Sequence, residues 1–416
     1  MYHCTSYDAI KAGRVTDVYF ARTLEILKAE GLDKRVKAEF IAKNLPEDWT
    51  WAVLAGVEEV AALADGMKVN IRAMDEGTVF RPWEPVLEIE GMYTDFCVYE
   101  TAMLGLICQA SGIATMAARC RLAAGGRSLI SFGARRMHPI LAPLIERNAF
   151  IGGCDGVSVG EGAELIGQLP TGTMPHALVL MYGDTVEATK AFDRVVPADV
   201  KRISLIDTFQ DEKFEAIRVA SALGDRLYGV RLDTPGSRRG DFKRIAQEVR
   251  WELDLRGFTH VKIFVSGGIG ERQIRELNPV VDGYGVGTAI SDAPVVDFSM
   301  DIVEIDDVPL AKRGKPSGAK QVYRCQLCHQ DRVTPQAHGS PVCECGGRME
   351  RLLNRWIERG NLVGPLPSAA MIRQRVLDQL RWIGRLDEPQ SPREPAPKGV
   401  EERATGAVVA ASTVAA

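Results

Sequence analysis

The sequence predicts an α/β protein: an N-terminal α+β lobe, an incomplete barrel of parallel βα units and a small cysteine-bearing module at the C-terminal end. Three observations predict it. Beyond residue 112, short apolar runs alternate with helical stretches, as parallel βα repeats require. A polar or glycine residue closes each run, with Asp207, Asp233, Ser266 and Gly287 following at intervals of 26, 33 and 21 residues; a barrel of such units presents its site at the C-terminal ends of the strands. Finally, four of the nine cysteines crowd between positions 325 and 345.

In chain order, residues 1–112 form the lobe. It opens with a helix over 19–29 and continues with turn-rich strand segments at 77–82 and 85–91. The apolar run from Phe96 to Ala124 is expected as two buried helices broken at Ser111-Gly112, the first domain boundary. Residues 113–290 form the barrel, with strands at 128–132, 157–159, 203–206, 227–232, 261–265 and 281–286. Its helices open at Asp211-Glu212 and after Gly240-Asp241, and stop at Gly224 and Gly257. A return strand, Phe298 to Ile305, and a Lys/Gly/Pro-rich linker fill 291–320, the cysteine module spans 321–386, and 387–416 reads as a disordered tail of Pro, Glu, Ser and then Ala, Val and Thr.

At 416 residues the chain exceeds one hydrophobic core. A net charge of -4 and a pI near 6.0 leave no basic footprint for nucleic acid or an anionic membrane, so an anionic ligand must be held by local positive groups. No run approaches a membrane span and the first ten residues lack a signal pattern, which predicts a cytoplasmic protein. Cys4, Cys97, Cys108, Cys120 and Cys154 lie scattered in largely apolar surroundings and are assigned to packing.

Backbone N–H groups approach a phosphate closely only where side chains are absent, which favours glycine turns at strand ends. Ser266-Gly267-Gly268-Ile269-Gly270 and Gly285-Val286-Gly287-Thr288 both fit. Either alone also suits a tight barrel turn; two in successive units favour phosphate. Asp207 and Asp233 sit where carboxylates would face the mouth, suited to ribose hydroxyls or to Mg²⁺; helix capping is the other reading, and for Asp233 the neighbouring Arg231 favours a site. Phe132-Gly133-Ala134-Arg135-Arg136 places an aromatic to stack on a flat ring beside two guanidiniums for a carboxylate or pyrophosphate. Gly172-Thr173-Met174-Pro175-His176 offers an imidazole as acid, base or phosphoryl acceptor, although a lone histidine is more often structural.

These residues together resemble the nicotinate phosphoribosyltransferase family over most of 10–290. Thr16-Asp17-Val18-Tyr19 is similar to its TD-x-Y motif, Phe132 to Arg136 to its FG-x-R-R motif, Gly172 to His176 to its GT-x-x-H motif, and the two glycine turns to its phosphate sites. The resemblance implies a type II phosphoribosyltransferase fold, in homodimers whose sites borrow residues from the partner. Tyr19 would then stack on nicotinate across the interface, opposite Phe132, with Arg135 or Arg231 holding the carboxylate and Arg136, Ser266, Gly267, Gly268, Gly285, Gly287 and Thr288 on phosphate. Met174 stands where the related nicotinamide enzyme carries an aspartate, which tilts the substrate towards the acid. The implied reaction joins nicotinate to phosphoribosyl pyrophosphate with Mg²⁺, using Asp207, Asp233 and Arg135, and the family can couple ATP through a phosphohistidine at the His176 position. Quinolinate phosphoribosyltransferase is the alternative of the same class, and a non-catalytic barrel carrying a zinc-ribbon interaction module the alternative of another.

Cys325-x-x-Cys328 and Cys343-x-Cys345 supply two thiolate pairs in a zinc-ribbon-like pattern. Four cysteines leave no open position, so the zinc is expected to be structural, with His329 or His338 as possible substitutes. The short, archaeal-type members of the family resemble this in carrying a cysteine-rich extension.

Overall fold

A computed structural model describes residues 3–383; the expected tail, 387–416, lies outside them. Two sheets flank one long helix. The first is antiparallel, seven strands in the order Val308–Pro309, Phe298–Ile305, Arg35–Ala42, Pro85–Met92, Val69–Met74, Leu353–Glu358 and Asn361–Leu362. The expected return strand is therefore real, pairing Ile305 with Val36 and Phe298 with Ala42. The second sheet is wholly parallel and curls into a half-barrel, in the order Gly156–Val157, Ser128–Ser131, Gly283–Val286, Lys262–Val265, Gly229–Leu232, Ile203–Leu205. Its strands are short, apolar and covered by helices, the burial that parallel sheets need.

The helix Glu100–Ala124 runs unbroken for 25 residues through the expected boundary. Gly112 does not end it. A Cβ there would lie 2.3 Å from the Pro294 carbonyl oxygen, so the missing side chain serves close approach of the return segment instead of a turn. The helix contributes Met103 and Ile107 to the lobe core, Ile113, Ala117 and Cys120 to the barrel core, and Ala110, Ala114 and Ala118 to a third cluster. Its two central polar residues also bind backbone: Ser111 accepts from the Ala55 N–H at 3.0 Å and Thr115 from that of Val53 at 2.9 Å. Tyr93–Ala124 is long and apolar enough to cross a membrane by length and composition alone, but 61% of its most apolar window is buried inside the protein, as in a core helix.

The C-terminal segment is divided, not a single module. Only Lys320–Cys325, Asp331–Pro335 and Met349–Arg351 form the cysteine-bearing sheet. Leu353–Glu358 instead extends the lobe sheet because Leu353, Trp356 and Ile357 complete its core, and Ala369–Ile383 buries Ile372, Val376 and Leu380 against residues of the long helix.

Candidate active site

Register assembles the mouth. Val265 lies beside Leu232, Leu205 beside Arg231 and Val286 beside Ser131, so the next residue or two of each strand emerge together. Phe132, Gly287, Ser266, Asp233 and Asp207 thus share one rim. Phe132 lies under Gly285, where a Cβ would stand 2.3 Å from its ring; no other residue leaves room for the ring there. Its other neighbour is Arg231, whose guanidinium carbon is 5.8 Å from the ring centroid.

Arg231 donates to Ser266 Oγ and to the Met174 carbonyl oxygen, both at 3.0 Å, while its Nε is buried without a partner. Burial lowers its pKa, against the raising effect of Asp233 and Asp207. Ser266 Oγ in turn donates to Asp233 Oδ1 at 2.6 Å. The His176 ring is held through Nδ1 by Thr208 Oγ1 at 3.0 Å, and its Nε2 stands 3.6 Å from both Asp207 Oδ2 and Asp233 Oδ2. Asp207 is the most confined of these groups, with a side chain 2% exposed and no side-chain partner on either oxygen; the backbone N–H groups of Asp233 and Asp207 favour its ionised form. Burial holds its pKa above the ordinary carboxylate value, opposed chiefly by the His176 charge.

Gly267 and Gly268 take φ of +78° and +65° in succession, left-handed values that a side chain would strain. The backbone N–H groups of residues 267–269 and of Gly287 bond to no backbone or side-chain acceptor among the described residues. They are the donors a phosphate would take. The turns also touch one another's supports, since a Cβ on Gly133 would lie 2.6 Å from the Gly287 carbonyl oxygen.

Some expected residues stand apart. Arg135 and Arg136 follow Phe132 on the rim but are exposed. Tyr19 is 57% exposed on the helix Val18–Ala29 in the lobe, its ring tilted against Phe20 and its hydroxyl 3.5 Å from Asp17. The sequence reading missed Thr208, which orients His176, the carbonyl role of Met174, and Arg239, which binds the Thr234 and Gly267 carbonyls. The Arg238-Arg239 pair, five and six residues beyond Asp233, was the available signal.

The four expected cysteines converge, all Sγ atoms within 4.8 Å of one another and several pairs at 3.4–3.5 Å. This spacing is compatible with a tetrahedral metal such as zinc. His329 is not among them; it stacks on Trp382 at 4.5 Å.

The model of the quinolinate phosphoribosyl transferase N-terminal domain matches residues 17–111, and that of the corresponding C-terminal domain matches 113–301. Curled parallel half-barrel, antiparallel lobe and glycine-lined mouth define a type II phosphoribosyltransferase. A solved structure described as nicotinate-nucleotide pyrophosphorylase from Pyrococcus furiosus is 53% identical, with a TM-score of 0.91 over 92% of this chain and 98% of that one. Nicotinate phosphoribosyltransferase pncB1 of Mycobacterium tuberculosis (strain CDC 1551 / Oshkosh) is 30% identical over 75% of this chain and 78% of its own. Human nicotinic acid phosphoribosyltransferase, at 21% identity and a TM-score of 0.73 over 88% of this chain and 93% of that one, shares the fold. The chain belongs to the nicotinate phosphoribosyltransferase family.

Proposed function

We propose that the chain joins nicotinate to phosphoribosyl pyrophosphate, releasing pyrophosphate and forming nicotinate mononucleotide. The observation that carries this reading is the Phe132–Arg231 pair set between the two glycine turns and the two aspartates. The phosphoribosyl 5′-phosphate takes the free N–H groups of the turns. The pyridine ring lies along Phe132, with its carboxylate towards Arg135 and the unpaired Nε of Arg231. The ring nitrogen attacks ribose C1 as the bond from C1 to the pyrophosphate oxygen breaks, through a transition state of oxocarbenium character. No covalent protein nucleophile is required; the residues act by holding both substrates in line and by charge.

Asp207 and Asp233 would hold Mg²⁺, and the two orphaned oxygens of Asp207 fit that role. Such an ion, when bound, offsets the charge of the departing pyrophosphate. His176 Nε2, facing the same carboxylates, is the position at which ATP coupling through phosphorylation would act. Zinc at Cys325, Cys328, Cys343 and Cys345 is structural, since four thiolates fill its coordination.

Quinolinate is the second reading, favoured by the family models matched. Against it, Arg239 is engaged with carbonyls and both Nη atoms of Arg231 with Ser266 and Met174, so that Arg231 offers only its Nε, already assigned to the one carboxylate of nicotinate. The test is pyrophosphate release with each acid, phosphoribosyl pyrophosphate and Mg²⁺, with and without ATP. We expect turnover with nicotinate and a loss of at least about 10²-fold in Arg135→Ala. Preference for quinolinate would overturn the substrate, and no turnover with either acid the whole reading.

A further inference from the structure

The glycine turn after Val265 is an unusual object: two consecutive left-handed residues with three backbone N–H groups bonded to nothing described. Gly267 and Gly268 are each free to adopt many conformations, so something outside the turn must select this one. Arg239, from the short helix Gly236–Arg239, is placed to do so. Its Nε and Nη2 donate to the Thr234 carbonyl oxygen at 2.9 and 2.7 Å, and Nη2 also reaches the Gly267 carbonyl oxygen at 2.5 Å and that of Ser266 at 3.4 Å. The guanidinium lies on the Phe242 ring, 4.1 Å from its centroid, which fixes its plane. A single flat fork thereby ties the Asp233-Thr234 turn to the Ser266-Gly267 turn. Asp233 Oδ1 completes the link, accepting from Ser266 Oγ at 2.6 Å.

We infer that Arg239 is a positioning residue for the 5′-phosphate of phosphoribosyl pyrophosphate, acting through the Ser266-Gly267-Gly268 turn and not by touching the phosphate. Drawing the Gly267 and Ser266 carbonyls towards the guanidinium turns these negative ends of the peptide dipoles away from the anion. The N–H ends are left for it. The role belongs to the fork, because an ammonium carries the same charge but cannot present the planar donor pair that spans two turns. This inference rests on the phosphate role proposed above for the same turn.

Titration calorimetry of phosphoribosyl pyrophosphate and, separately, of nicotinate onto the full chain and its Arg239→Lys and Arg239→Ala variants tests it. Losing charge-assisted hydrogen bonds that order the turn should weaken phosphoribosyl pyrophosphate by about 10-fold or more in both variants, while nicotinate binding stays within about 2-fold of the parent. Lysine and alanine should do equal harm. Binding restored by lysine would make Arg239 a charge contact and overturn the inference, as would unchanged binding in both variants or equal losses for both ligands. A parent chain that binds no phosphoribosyl pyrophosphate would sink the phosphate reading of the turn and this inference with it, whereas a binding parent with unaffected variants sinks only the clamp.

Discussion

Asp207 concentrates the conflict between stability and function in one side chain. Its carboxylate is 2% exposed, has no side-chain hydrogen-bond partner, and faces Asp233 across the same imidazole. Such a group stays ionised at a cost, one that the cation and ribose of the proposed reaction would repay. Asp207→Asn should therefore gain on the order of 1–2 kcal/mol in thermal or urea unfolding without Mg²⁺ while losing most turnover. The sign with pH follows from the direction of the shift: burial raises the folded-state pKa, so the parent loses stability as pH rises through that value. The gain from asparagine should accordingly be present at neutral pH and fade in acid, where the parent carboxyl is itself protonated. A variant less stable than the parent at neutral pH would show that the carboxylate is compensated in the free protein.

At the scale of elements, the cysteine-bearing sheet is anchored to the lobe by buried charge. Arg324 binds Asp331, the Val79 carbonyl and Gln379, and Arg81 binds Asp331 at 2.7 Å. Glu84, 6% exposed, accepts from the Arg81 N–H at 2.9 Å, and its carboxyl is pushed up to about 8, first by burial and then by the negative charge of Asp331, with Arg81 and Arg324 opposing. A carboxyl raised this way stabilises the fold fully below its unfolded value and loses that contribution as pH climbs through about 8. Glu84→Gln, fixed in the neutral form, should match the parent below about pH 4 and exceed it by several kcal/mol, on the order of 3–5, at about pH 8 and above, read from thermal melts across that range; an equal difference at both ends would refute the titration. None of this network was legible in the sequence, where Val79 and Arg324 are 245 positions apart. By contrast the six barrel strands and their closing residues were legible, because apolar runs ended by Asp, Ser or Gly are local signals. The misreadings share a cause. Gly112 inside a helix and the strand Leu353–Glu358 in the lobe sheet take their meaning from a neighbour distant in sequence, and the Arg239 fork needs the register of two strands before its acceptors meet.

At the scale of the molecule, the mouth and Tyr19 belong to different halves of the chain. The helix Val18–Ala29 carries Val18, Tyr19 and Ile26 with 58%, 57% and 62% of their surface exposed, an apolar display that a partner surface would cover. Tyr19 contacts its own lobe through Phe20 and Asp17, whereas Phe132 is enclosed by Gly285 and Arg231 at the barrel mouth. In a two-fold dimer one subunit's lobe helix can meet the other's barrel, and the surface then recurs twice by symmetry. If Tyr19 closes the nicotinate pocket of the partner subunit, Tyr19→Ala and Arg135→Ala should each be nearly inactive alone, yet complement when unfolded together and refolded. Random pairing makes half the dimers mixed; one site in each mixed dimer keeps both side chains, so about a quarter of parental activity should return. Sites completed within one chain would instead give no recovery above the sum of the two variants, because every barrel would still lack either Tyr19 or Arg135.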